Sequence, residues 1–269
     1  MNTVKTRQTE KTQSRLLSIV KVGGAVLEDP FSLDVFLDQF VALPGLKILV
    51  HGGGRAASKL SERLNIENKI VEGRRITDAD TLDVVTMVYG GLVNRKTVAA
   101  LQSKGCNAGG FTGADLNLIK ASRRQVKNID YGFVGDITEV NSIAFTALLQ
   151  GGITPVIAPI THDGKGQLLN TNADTVASAI AVGLSKSFTV SLIYCFEKPG
   201  VLTDTENLNS VIQQLSPATY EILKKRGTIH SGMIPKIDNS FDALLNGVSS
   251  IRITCALALI LNTGTRLSL

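Results

Sequence analysis

The sequence predicts an α/β protein built on a mostly parallel sheet covered on both faces. Three observations carry this. Short β-branched runs such as "SIVKV" and "KILV" alternate along the chain with longer segments of helical period. Two of those strands run directly into glycine loops, "VKVGGAV" and "LVHGGGRA", where ligands collect in parallel sheets. No internal repeat or low-complexity linker interrupts the alternation.

The elements follow in order. "SIVKV" (18–22) reads as a buried strand, then "GGAVLEDP" as a loop and "FSLDVFLDQFVAL" as a helix. "KILV" is the second strand, and "RAASKLSERL" a helix entered straight from the glycines. "DADTLDVVTMVYGGLVNRKTVAALQSKG" predicts one long helix, acidic at its start and closing on Lys104 and Gly105. "LNLIKAS" and "YGFVGDITEV" have strand character, followed by a helix around "SIAFTALLQGG" and a strand "TPVIAPI". "LLNTNADTVASAIAVGLS" is a loop running into a helix, before the buried strand "FTVSLIYCF". "SPATYEILKKRG" and "IPKIDNSFDALLNG" are two further helices, and "SIRITC" a late strand. The Gly/Asp/Thr-rich stretch at 161–166 is the candidate seam between two lobes, 17–162 and 163–269, behind a flexible basic tail, 1–16.

At 269 residues and 43% hydrophobic, the chain has ample core for such a fold. Of its net charge of +5, +3 comes from Lys5, Arg7, Lys11 and Arg15 against Glu10, so the body is only mildly basic. That argues against a nucleic-acid surface and suits a small anionic ligand. The longest late apolar run, "CALALIL", is far short of the ~20 residues of a membrane span. No apolar signal core precedes Leu16, which predicts a cytoplasmic protein. Cys106, Cys195 and Cys255 do not cluster with His51, His162 and His230, so neither a metal site nor a disulfide framework is predicted.

The glycine loops fit neither the dinucleotide G-x-G-x-x-G nor the P-loop spacing. Glycine lets backbone N–H groups approach an anion without a Cβ in the way, and a following helix N-terminus favours negative charge. Gly23-Gly24 and Gly52-Gly53-Gly54 therefore read as a pair of anion-binding turns, tight turns being the plainer alternative. Lys21 lies inside an apolar run immediately before Gly23. There it either snorkels to solvent or meets a phosphate, and its neighbours favour phosphate. Asn170, Asn172 and Asp174 surround a helix start, where capping alone would explain them. Lys236, after Pro235, opens another helix and by itself would be a surface lysine.

Together, "VKVGGAVL", "LVHGGGRAAS", "GRRIT", "GQLLNTNAD" and "SGMIPKI" closely resemble the N-acetylglutamate kinase family, part of the amino-acid kinase superfamily. The resemblance runs from about Leu17 to the terminal "NTGTR". It implies an open αβα sandwich, the amino-acid kinase fold, with the acylated amino acid bound in the N-terminal lobe and MgATP in the C-terminal lobe. Gly53 and Gly54 would donate backbone N–H groups to the substrate and the migrating phosphoryl. Arg75 matches the arginine that pairs with the α-carboxylate, and Asn170, with Asn172 nearby, the asparagine holding the acylated amino group. Lys21 and Lys236 match two lysines that stabilise the phosphoryl, and Asp174 the aspartate that orients them. Gly23, Gly24 and Gly200 fall on the phosphate and nucleotide side, and no protein metal ligand is implied.

The implied reaction moves the γ-phosphoryl of ATP to the γ-carboxylate of N-acetyl-L-glutamate, giving N-acetyl-L-glutamyl 5-phosphate in arginine biosynthesis. N-succinyl-L-glutamate is the close alternative acceptor, since "VYGGLVNRK" is unusual for the branch. Another superfamily kinase acting on a different carboxylate or carbamate is more distant. A non-catalytic ligand-binding regulator on the same fold is the alternative of another class, but it would be expected to lose Lys21, Asp174 or Lys236, and all three are present. Two places depart from the family pattern. "IYCFEKPGVLTD" carries Phe196 and Glu197 where a Thr/Ser-Asp pair is usual, and "TIHSGMIPK" has His230-Ser231. Arginine-inhibited members of that family carry a longer N-terminal helix that interlocks dimers into hexamers. The tail here is short, polar and without an apolar stripe, so the resemblance implies a homodimer without arginine feedback.

Overall fold

The computed structural model describes residues 15–71, 73–126, 128–229 and 233–269. The tail through residue 14 and the His230-Ser231 pair lie outside the described residues.

β1 (Arg15–Val22) leads into α1 (Gly24–Glu28), a short helix where the sequence predicts only loop. The Asp29 carboxylate accepts the Ser32 amide and caps α2 (Pro30–Ala42), and Pro30 occupies a helical position that needs no N–H. β2 (Leu46–His51) and α3 (Gly54–Arg63) follow. A small hairpin, β3 (Ile70–Val71) with β4 (Arg74–Arg75), precedes α4 (Ala79–Val85), which Asp78 caps at Thr81. The predicted long helix is continuous but irregular. Thr86–Val93 winds as π-helix before α5 (Asn94–Ser103), with Gly90-Gly91 at the widened turn, where poor helix formers weaken the regular ladder.

β5 (Ala108–Phe111), β6 (Ile119–Arg123), β7 (Gly135–Val140) and α6 (Ser142–Gln150) come next. "TPVIAPI" is two strands, β8 (Thr154–Ile157) and β9 (Ile160–His162), parted at Pro159, which has no N–H for a ladder. The suggested seam at 161–166 is the hairpin joining β9 to β10 (Leu168–Asn170). α7 (Ala173–Leu184), β11 (Phe188–Phe196), β12 (Gln214–Leu215), α8 (Pro217–Lys225), α9 (Ile234–Leu245), β13 (Ser250–Cys255) and β14 (Thr265–Leu267) complete the described chain.

Among the described residues the main sheet has eight strands in the order β12-β14-β13-β11-β1-β2-β8-β5, and β9, β10, β6 and β7 form a second sheet. The main sheet is parallel throughout except where β14 meets β13. Side chains alternate across β1, so Leu17 and Ile19 join a core with Phe145, Ile180 and Phe241 from the helices of one face. Val20 and Val22 join Phe36, Phe40 and Leu101 on the other. This is the αβα sandwich that the resemblance implies. β1 is central, with β2 on one side and β11 on the other, and at such a reversal of strand order a crevice opens beyond the strand ends.

Candidate active site

β1 and β2 end side by side, Val22 opposite His51, so both glycine loops leave the sheet together. The Gly52 amide donates to the Val22 carbonyl at 3.2 Å. A Cβ on Gly52 would lie 3.4 Å from the Gly24 nitrogen, and one on Gly53 only 2.6 Å from the Tyr89 ring. The third, Gly54, meets no such crowding and opens α3. Gly23 differs from the expectation of a free donor, because its amide donates to the Cys195 carbonyl at 3.0 Å. It contributes room instead: a Cβ there would touch Phe196.

His51 fixes the loop from behind. It is fully buried, with Nδ1 2.8 Å from the Gly52 carbonyl and Nε2 3.0 Å from Asn94 Nδ2. The Asn94 amide donates to Nε2 as well as to the Val156 carbonyl, so the ring proton sits on Nδ1 and is donated to Gly52. Burial pushes the His51 pKa down to about 4, aided by the Arg95 charge and opposed by the Gly52 bond.

Beside the glycines, Lys21 and Lys236 converge on Asp174, Nζ to carboxylate oxygen at 2.8 and 3.5 Å. Lys21 does not snorkel; it is only 7% exposed. Burial raises the Asp174 pKa, but the charges of Lys21 and Lys236 outweigh it and hold the carboxyl below its ordinary value. Two ammonium groups on one carboxylate leave the cluster positive. Of the three residues around this helix start, Asn172 is the cap, accepting the Asp174 and Thr175 amides. Asp174 faces the lysines, and Asn170 donates to Thr77 Oγ1 at 3.0 Å.

Gly53, Gly54, Arg75, Asn170 and Asn172 all line one cavity of about 210 Å³. Arg75 is 8% exposed and donates to the Gly54 carbonyl, Ser58 Oγ and Asn68 Oδ1. Tyr89, carried by the π-helical turn, completes this wall. Lys236 and Phe196 line a second, more apolar cavity of about 230 Å³, with Gly200, Val201 and Ile229. Sequence reasoning missed His51, Tyr89 and the position of Phe196. The histidine preceding the glycines was the available signal for the first, whereas a tyrosine in an apolar helix reads as ordinary core.

The model of the Amino acid kinase family matches residues 17–255. The chain is 56% identical to the acetylglutamate kinase of Cytophaga hutchinsonii, over 91% of this chain and 93% of that one. It is 54% identical to the acetylglutamate kinase of Phocaeicola vulgatus, over 93% and 97%. In fold it is similar to the N-acetylglutamate synthase of Neisseria gonorrhoeae solved with coenzyme A and N-acetyl-glutamate, with a TM-score of 0.80 at 20% identity. That likeness spans 94% of this chain and 59% of that one. With a family model over nearly its whole described length and relatives at more than half identity, the chain belongs to the amino acid kinase family, in the branch of the acetylglutamate kinases.

Proposed function

We propose that the chain transfers the γ-phosphoryl of ATP to the γ-carboxylate of N-acetyl-L-glutamate, giving N-acetyl-L-glutamyl 5-phosphate in arginine biosynthesis. The observation that carries this reading is the Lys21–Asp174–Lys236 cluster, with Lys236 lining one apolar cavity and Asn172 and Ala173, which precede Asp174, lining another that holds Arg75 and Asn170. The full-length likeness to acetylglutamate kinases supports it.

The acceptor carboxylate, with an ordinary pKa near ~4.3, is already ionised at neutral pH, so no general base is needed. The barrier is the approach of one anion to another, and it is lowered by positioning and by fixed positive charge. Arg75 grips the α-carboxylate and Asn170 the acylated nitrogen. The loop at Gly53 and Gly54 lets backbone donors reach the reacting oxygens. Lys21 and Lys236 balance charge on the migrating phosphoryl, while Asp174 keeps both ammonium groups aimed. Adenine lies in the apolar cavity at Gly200 and Val201, with Gly24 on the phosphate side.

Among the described residues, no three His, Cys, Asp or Glu side chains group to hold a metal, and Asp174 is already engaged by two lysines. Mg²⁺ enters as part of the MgATP substrate, held mainly by the nucleotide phosphates and water, because this ion keeps much of its hydration shell. The N-terminal lobe, 17–162, serves the acyl amino acid together with Asn170 and Asn172, which β10 and the start of α7 bring to the same cavity, and the rest of the C-terminal lobe, 163–269, serves the nucleotide. We take the working unit to be a homodimer without arginine feedback; exposed Ile143 and Leu116 are apolar surface of the kind a second copy would cover.

One observation favours N-succinyl-L-glutamate as a second acceptor. Arg74 lines both the cavity of Arg75 and Asn170 and an adjoining one that holds Arg123 and Arg124, the latter paired with Asp136, so an acyl chain with a terminal carboxylate would meet arginines there. Trapping the acyl phosphate with hydroxylamine, with ATP and each acylated glutamate in turn, tests both. Hydroxamate from N-acetyl-L-glutamate supports the first reading, and from the succinyl compound alone the second. None from either overturns the kinase reading.

A further inference from the structure

The motifs that build the site leave Phe196 unexplained, and the structure sets it beneath both lysines. The Lys21 Nζ lies 4.7 Å and the Lys236 Nζ 4.2 Å from the centroid of its ring. We propose that Phe196 is a positioning residue for phosphoryl transfer, its single aromatic ring holding the two ammonium groups that act on the migrating phosphoryl. This rests on the role given to those lysines above.

The lysines come from distant elements, β1 and α9, and each ends a flexible four-carbon stem. Lys21 is tightly held by Asp174 at 2.8 Å. Lys236 is not: its side chain is 22% exposed and its carboxylate contact is 3.5 Å, so a second restraint matters most there. An aromatic face attracts a cation through its quadrupole, more strongly where water is excluded. Unlike a second carboxylate, it does so without cancelling the charge that a phosphoryl group needs. Phe196 restrains the pair and leaves the cluster positive.

The ring is itself fixed. It stacks on Tyr194, centroids 6.4 Å apart and planes within 5°, and Tyr194 is fully buried with its hydroxyl 3.5 Å from the Asp174 carbonyl. Gly23 leaves it space, since a Cβ there would stand 3.4 Å from the ring. Tyr194 and Phe196 thus carry the floor of the lysine cluster on the end of β11.

The test compares the unaltered chain with Phe196→Leu, which removes the π face at similar bulk, and Phe196→Tyr, which keeps it. Phe196→Met stands in if the leucine variant unfolds. Phe196→Leu is expected to lower kcat about tenfold while KM for the acylated glutamate stays within about twofold, and Phe196→Tyr to restore kcat. A second readout needs no turnover. In protein biosynthetically labelled with ¹³C-lysine, two side-chain CεH₂ signals, absent from Lys21→Arg and Lys236→Arg respectively, are shifted upfield by the ring in the unaltered protein and in Phe196→Tyr and return to the ordinary position in Phe196→Leu. Unchanged kcat in Phe196→Leu, an equal fall in Phe196→Tyr, or unshifted lysine signals would overturn the proposal. Shifted signals in a chain that makes no hydroxamate from any acylated glutamate would instead overturn the kinase reading, and with it the role given to the ring.

Discussion

Asp174 is the costliest residue of the site, because a carboxylate loses its hydration when fully buried and keeps its charge here only through two lysines. Replacing it with asparagine leaves Lys21 and Lys236 facing each other uncompensated. Asp174→Asn is expected to cost about 3–5 kcal/mol in urea unfolding, as well as most of the activity. Its carboxyl is held below its ordinary value, so its contribution is complete above the unfolded pKa of 3.8 and is lost as pH falls further, through the folded one. The acid limb of stability should therefore be shallower in Asp174→Asn than in the unaltered protein. Lys236 stands differently, being partly open to solvent at the start of α9. Lys236→Ala should lower kcat by about 10²–10³-fold, as removing one charge-stabilising donor does, while moving the unfolding midpoint little. A loss of stability in step with the loss of kcat would make this lysine part of the scaffold rather than of the chemistry.

Two elements hold the glycine turn in shape, the end of β2 and the π-helical turn at Thr86–Val93. His51 anchors the first. Its folded pKa of about 4 lies below the unfolded value of 6.5, so the neutral ring's contribution is full above 6.5 and drains away as pH falls toward 4. The loss amounts to about 3 kcal/mol at most. Urea unfolding between pH 7 and 4 should show that slope, and His51→Gln should flatten it; an unchanged slope would move the titration elsewhere. Tyr89 anchors the second by lying against Gly53. Gly53→Ala should cost about 1–3 kcal/mol through overpacking, yet little once Tyr89→Ala has made room. Strictly additive losses would show that the two do not meet. The sequence made β1, β2, β11 and both glycine loops legible, because buried parallel strands are apolar runs and glycine repeats are rare. It hid β5, "AGGF", because the space for a side chain at Gly110 is filled by Asn94 and Arg95 from α5, leaving glycine where a strand residue would be recognised. The π turn was equally hidden, since Gly90-Gly91 mark a weak point in the helix without saying that its ladder widens there. Lys21, Asp174, Lys236, Arg75 and Asn170 were singled out by motif, and the structure gathers the first three into one ion-pair cluster and the last two onto one cavity. Phe196 stood out only as a mismatch, because a ring under two cations exists only once β1, β11 and α9 have come together.

Across the whole molecule, strand order separates two halves that meet at β1. β2, β8 and β5 lie to one side, with the cavity of Arg75 and Asn170 beyond their ends, and β11, β13 and β14 to the other, with the apolar cavity beyond theirs. The two cavities share no lining residue; Phe196 and Lys236 belong to the wall of the apolar one, and Asp174 ties Lys236 to Lys21 on β1. If the two halves serve two substrates, their affinities are separable by mutation. A ligand that binds only the folded state at a hundred times its Kd stabilises it by about 2.7 kcal/mol, which is roughly 5–10 °C in Tm for a chain of this size. N-acetyl-L-glutamate and MgADP should each raise Tm in the unaltered protein. In Arg75→Ala the shift from the acyl amino acid should vanish, because the carboxylate loses its guanidinium partner, while the MgADP shift survives. The retained shift also shows that the variant is folded, although Arg75 ties Gly54, Ser58 and Asn68 together. Loss of both shifts would mean that Arg75 organises the whole crevice, and that one continuous site rather than two facing halves receives the substrates.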